Sequence, residues 1–73
     1  MELRIRDLRE DRDLKQLELA LYLGCDPSLY SKYERGERVF PLEYAAKLAK
    51  FYGVSVDYLI GLTDVKTPYP PKK

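Results

Sequence analysis

One stretch constrains the fold of this chain more than any other: residues 16–36, QLELALYLGCDPSLYSKYERG, have the layout of two short helices joined by a tight turn. Gly24 is a natural stop for the first, and Asp26-Pro27 is a strong start for the second. A carboxylate at the N-cap accepts from free backbone N–H groups, and proline at the first helical position loses a donor that had no partner anyway. Gly36 closes the second helix. Leu19 and Leu23 share a face of the first, and Ala20 between them is small enough for close approach by a crossing helix.

Three more helices follow from the same reasoning. Ile5 and Leu8 lie one turn apart among Arg and Asp residues, which predicts an amphipathic helix from Glu2 to Arg12. Asp13 suits its end, because Asp tolerates the left-handed conformation found there. The helix before the turn runs from about Lys15 to Leu23 and the one after it from Pro27 to Arg35. Pro41 opens a fourth, in which Tyr44, Ala45, Leu48, Ala49 and Tyr52 recur at helical spacing up to Gly53. Ser55 caps a fifth, from Val56 to about Leu62, with Asp57 near its positive N-terminal end. Strand signals, internal repeats and phosphate-cradling glycine loops are absent from the sequence. The expected fold class is all-α, a compact five-helix domain over residues 1–64. The Pro/Lys-rich tail, 65–73, is expected to be a flexible, extended arm.

Size and composition narrow the function. The 73 residues make one domain, and a domain this small buries only about 60% of its unfolded surface, which argues against a large active-site cleft. A lone cysteine, Cys25, rules out an internal disulfide, and the lack of histidine removes the usual zinc ligand and acid-base group. No nucleophile and base pair, metal set or cofactor loop is visible, so neither an enzyme nor a cofactor is expected. No apolar run reaches the ~20 residues of a membrane span, and the N-terminus, MELRIRDLRED, lacks the apolar stretch and cleavage site of a secretory signal. A cytoplasmic protein is expected. Its net charge is only +1, but the charge is uneven: residues 1–26 are acidic on balance, whereas residues 27–38 and the tail are basic.

The order of residues resembles a known family. Leu14, Gln16, Leu19, Ala20, Leu23 and Gly24, then Ser28, Ser31, Tyr33, Glu34 and Gly36, then Lys47, Leu48, Ala49, Gly53, Val54, Ser55, Asp57, Tyr58 and Leu59 resemble the lambda-repressor-like, or Cro and XRE, helix-turn-helix domains. The likeness runs without a gap from about Leu3 to Asp64. It implies a sequence-specific DNA-binding transcriptional regulator, repressor-like, with the helix from Pro27 to Arg35 in the major groove. Base contacts then map onto Pro27, Ser28, Ser31 and Lys32, and phosphate contacts onto Lys15, Gln16, Arg35 and Arg38. Lys reaches guanine acceptors, and Ser pairs with several bases. Arg9 and Glu34 occupy the positions of an ion pair that joins the first helix to the third, the reading preferred for Arg9 over a phosphate contact. Val56 and Tyr58, in the fifth helix, are the implied interface of a homodimer on a double-stranded operator.

Several positions depart from the family pattern. Pro27 stands where a polar base reader is common and has no donor to offer. Lys15 replaces a Ser or Thr cap but puts a cation beside Gln16. Leu29-Tyr30 is bulkier than usual, so Tyr30 must fit the core or turn its hydroxyl to a partner, while Tyr33 is expected to pack within the domain. Cys25, in place of a common valine, is expected to act as a small buried hydrophobe. Leu17 and Leu21 form an apolar stripe beside Tyr22, a contact surface for the tail or for a partner protein. This stripe, with Pro27 and the low net charge, supports an alternative: a protein-interaction module on the same fold.

Overall fold

A computed structural model of the chain describes residues 3–65. Five helices follow in order: α1 (Ile5–Asp11), α2 (Gln16–Leu23), α3 (Pro27–Glu34), α4 (Leu42–Tyr52) and α5 (Val56–Leu59). No strand occurs among the described residues. The sequence places each helix correctly and overstates some lengths. Pro41 sits at the N-cap of α4 rather than inside it, and α5 stops at Leu59, three residues short of expectation. Glu2 and the tail from residue 66 on lie outside the described residues.

The short lengths follow from how the helices end. Every one closes with the same two backbone bonds, a six-residue and a four-residue N–H···O=C return around a left-handed residue. In α1 these are Leu14 N to Arg9 O and Asp13 N to Glu10 O, both 3.0 Å, with Asp13 at φ 57°. In α5 they are Leu62 N to Asp57 O at 2.8 Å and Gly61 N to Tyr58 O at 3.1 Å, which ends the helix before Leu62. Starts are less uniform. Asp26 Oδ1 accepts from Ser28 N at 2.8 Å, and Ser55 Oγ accepts from Tyr58 N at 3.0 Å. Lys15 has no acceptor to offer, and the start of α2 is instead held by Glu18, whose carboxylate accepts from Lys15 N at 2.7 Å.

All five helices face one core. Ile5 and Leu8 from α1, Leu19, Ala20 and Leu23 from α2, Tyr30 and Tyr33 from α3, Ala45, Leu48, Ala49 and Tyr52 from α4, and Leu59 from α5 are buried together, with Val54 between the last two helices. Full burial of a side chain such as Leu48 stabilises by about 1.5–3 kcal/mol, and this apolar set is the main term holding the domain together. Ala20 is completely buried, as close approach of a crossing helix requires. Tyr30 fits the core fully, and Tyr33 packs edge-on against Phe40 and Tyr44 at centroid distances of 5.2 and 6.1 Å. Cys25 is half-buried against the core, and that burial pushes its thiol up, away from reactive thiolate.

Two arginines tie the ends together. Arg4 donates through Nη1 to Thr63 O at 2.8 Å, pairs with Asp64 at 2.6 Å and lies 4.2 Å over the Tyr58 ring. Arg12 donates to Tyr52 O at 2.8 Å, a cation on the negative end of α4. The Tyr52 hydroxyl is buried with no hydrogen-bond partner among the described residues, and desolvation pushes its phenol up to about 12.

At Gly36 a built Cβ would meet nothing within 4 Å, so substitution there costs only backbone strain at φ 76°. Gly36→Ala should destabilise the domain by about 1 kcal/mol, lowering Tm by roughly 4–8 °C. Thermal unfolding followed by circular dichroism tests this; an unchanged Tm would contradict the assignment of Gly36 as an obligatory left-handed cap.

Candidate nucleic-acid interface

The first positions of α3 are set by Asp26 and Pro27, which leave Pro27 and Ser28 exposed at its N-terminus. Ser31 and Lys32 follow one turn on, half-buried, and Arg35 and Arg38 are exposed at and beyond the C-terminal end. Tyr30, Tyr33 and the Glu34 carboxylate face inward, so the polar residues named from the sequence share the outer side of one helix.

What holds α3 against its neighbours is the Glu34 carboxylate, whose side chain is only 2% exposed. Arg9 grips it with both arms of the guanidinium, Nε to Oε2 at 2.8 Å and Nη2 to Oε1 at 3.1 Å. The third nitrogen, Nη1, donates to Leu14 O at 2.9 Å in the turn between α1 and α2. Gln16 Nε2 adds a bond to Oε1 at 3.0 Å from the first residue of α2. One carboxylate thus joins three helices. Burial opposes its charge, but the bonds from Arg9 and Gln16 prevail and hold the carboxyl below its usual range. The same bonds raise the Arg9 guanidinium. Tyr30 lies beneath the network; burial first, and the nearby carboxylate second, push its phenol well above its ordinary value. Among the described residues the Tyr30 hydroxyl meets no partner at regular hydrogen-bond geometry, yet it lies close enough to the Glu34 carboxylate for each group to shift the other.

This network changes the view of Gln16. Its amide nitrogen carries two N–H groups and gives one to Glu34, so the side chain is fixed to α3 at the N-terminus of α2. Ser31 and Arg35, read from the sequence as separate contacts, are also joined: Arg35 Nη1 donates to Ser31 Oγ at 2.7 Å while Nε pairs with Glu37. Lys15 is exposed beside Gln16.

Besides Leu62 and Val65 near the end of the described residues, the exposed hydrophobic side chains form two groups. Leu17 and Leu21 are exposed as a stripe, and Tyr22 extends it, its ring 4.8 Å from Phe51 and its hydroxyl on Lys47 O at 3.2 Å. On another face, Val39 is 92% and Leu42 74% exposed. They line, with Leu3, Phe40, Ala45 and Ile60, a groove of about 290 Å³. Sequence reasoning missed this second group because Val39 lies between helices, where no periodicity marks a side chain as inward or outward. Val56 and Tyr58 are only partly exposed, and Arg4 covers the Tyr58 ring.

The Cro/C1-type helix-turn-helix family profile matches residues 5–59, from the first residue of α1 to the last of α5. The chain belongs to this family. Among curated helix-turn-helix proteins it is 47% identical to the cryptic phage CTXphi transcriptional repressor RstR of Vibrio cholerae over 57 residues, 78% of this chain and 51% of that protein. It is 40% identical over 70 residues to an uncharacterized HTH-type transcriptional regulator, YobD, of Bacillus subtilis strain 168, covering 96% of this chain and 62% of the relative. The chain therefore spans between half and two thirds of the length of these helix-turn-helix relatives. No match was found among solved structures. Among the described residues, no helix is long and apolar enough to cross a membrane.

Because the folded carboxyl of Glu34 lies below its unfolded value of about 4.3, its contribution is full above that pH and is lost as pH falls through the lower, folded value. Glu34→Gln should cost about 3 kcal/mol at pH 7 by stranding Arg9 and should flatten the acid limb of the stability curve. Urea unfolding between pH 7 and pH 3 measures both; a variant that loses stability on acidification as steeply as the parent would refute the assignment.

Proposed function

We propose that this chain is the DNA-binding domain of a repressor-like transcriptional regulator, which lays α3 in the major groove of a double-stranded operator. The observation that carries this reading is the outer side of α3, where Ser28 is exposed and Lys32 half-exposed, with a core that fixes the helix from behind. Lys32 supplies donors for guanine O6 and N7, Ser28 and Ser31 pair with base edges, and Pro27 offers apolar contact. Lys15, Gln16 and Arg38 face phosphates and position the domain without reading sequence, whereas the Arg35 guanidinium, named with them from the sequence, is bonded to Ser31 and Glu37. Gln16 suits this role because Glu34 makes its amide part of the same rigid unit as α3. That two of its relatives are a transcriptional repressor and an HTH-type transcriptional regulator supports the same reading.

One recognition helix reads only a few base pairs, so two copies on half-sites about 34 Å apart are expected. Val56 and Tyr58 are the interface suggested by resemblance; the exposed Val39 and Leu42 offer more apolar surface. A regulator of this kind acts beside the chromosome, in the cytoplasm. The second reading, a protein-interaction module, draws on the exposed Leu17 and Leu21 together with a net charge of +1. The lysines of the tail, 66–73, named from the sequence as a possible charged arm, lie outside the described residues.

Selection of bound sites from a random duplex pool, with affinities measured across a salt series, separates the two. The DNA-binding domain should give a defined motif and lose affinity steeply with salt; the interaction module should bind no duplex even at low salt. Lys32→Ala should cost about 1–3 kcal/mol at one base position and relax the motif there. Gln16→Ala, checked for folding, should weaken all sites alike. If Lys32→Ala lowers affinity while leaving the motif intact, Lys32 is a phosphate contact and the base-reading role assigned to it is wrong.

A further inference from the structure

Beyond the end of α3, one carboxylate sits close to the reading face without belonging to it. Gly36 takes a left-handed φ of 76° and turns the chain back, with Glu37 N bonded to Lys32 O at 2.9 Å. That turn sets Glu37 against the Arg35 guanidinium, and Arg35 in turn donates to Ser31 Oγ at 2.7 Å, one helical turn back. The order is Glu37, Arg35, Ser31, running from the loop into the helix face. Both charged side chains are half-exposed.

This chain has two chemical consequences. A serine hydroxyl can donate or accept, but one that accepts from a guanidinium has an acceptor site filled and its own proton left to give. Guanine O6 and N7, adenine N7 and thymine O4 accept such a proton, whereas the cytosine amino group does not. An arginine with Nε and Nη1 engaged within the protein, beside an anion, is also a poorer ligand for a DNA phosphate than its formal charge suggests. Glu37 is held below the ordinary carboxylate range by Arg35, and the Lys32 charge acts on it in the same direction, so the pair is intact at neutral pH.

We propose that Glu37 is a specificity-determining residue that touches no base: by holding Arg35 against Ser31 it biases Ser31 toward base acceptors and withholds Arg35 from the phosphates. The inference rests on α3 being the recognition helix. Its effect is a bias rather than a block, because an exposed ion pair yields readily to competition.

The test compares the parent, Glu37→Ala, Arg35→Ala and the double variant. Site selection and a salt series read the DNA side, and NMR of the Arg35 Nε–H group in the free protein reads the contact itself. Glu37→Ala should shift the Arg35 Nε–H resonance, lower base preference at one motif position about threefold and steepen the salt slope by about one. On the Arg35→Ala background, loss of Glu37 should change neither motif nor slope. Equal effects of Glu37→Ala in both backgrounds would overturn the proposal, since a carboxylate near DNA then acts only by general repulsion. So would an unmoved Arg35 resonance, or an unchanged motif and slope in Glu37→Ala. A parent protein that binds no duplex at low salt would instead reject the recognition-helix reading, and the resonance alone would then report whether Glu37 holds Arg35.

Discussion

The arrangement of this domain depends on a single buried anion. Glu34, at the last position of α3, takes bonds from the start of α2 and from α1, and Arg9 links it further to the turn between them. A carboxylate removed from water is unfavourable unless its charge and lone pairs are matched, and here a bidentate guanidinium and an amide match them. Apolar packing alone is non-directional and tolerates a helix sliding or rotating by small amounts. The Glu34 contacts have defined distances and directions, so they hold α2 and α3 at one mutual angle. For a structure that presents a helix to DNA, that angle decides whether side chains meet base edges.

The second constraint is the way the helices stop. Each of the five closes around a left-handed residue, which keeps every helix short and redirects the chain sharply. At α3 the closure does more than end a helix, since Gly36 brings Glu37 back beside Arg35. Termination and surface electrostatics are therefore connected in this protein. The half-exposed pair contributes little to stability, yet it alters which donors and acceptors the outer side of α3 offers.

A net charge of +1 is low for a nucleic-acid binder, so the placement of the charges matters more than their sum. Several of the acidic groups are paired with arginines: Glu34 with Arg9, Asp64 with Arg4, Glu10 with Arg6. Such pairs cancel locally; the cations outside them near α2 and α3 are Lys15, Lys32 and Arg38, with the exposed carboxylates of Glu18 and Asp26 at the starts of the same two helices. Apolar surface is likewise divided, the Leu17 and Leu21 stripe on one side and the Val39 and Leu42 groove on another.

Local chemistry was legible from the chain itself. Asp26-Pro27, Ser55, Gly24, Gly53 and even Asp13 act through bonds to residues within one turn, so their neighbours in sequence are their partners in space. The core stripe of α4 was legible for the same reason, as helical period alone places Ala45, Leu48 and Tyr52 on one side. Family resemblance extended this to the Arg9 and Glu34 positions, which no local rule connects. Other features needed the folded chain. That Gln16 bonds to Glu34, and that Val39 and Leu42 open a groove while Tyr58 lies under Arg4, depend on where side chains from different segments converge. By itself the sequence determined which segments are helical and, to within about three residues, where each ends, because those outcomes are decided by bonds a few residues long. Only tertiary structure decided which polar groups are already engaged and which still face outward, because a donor or acceptor far along the chain becomes a competitor only once packing brings it within about 3 Å.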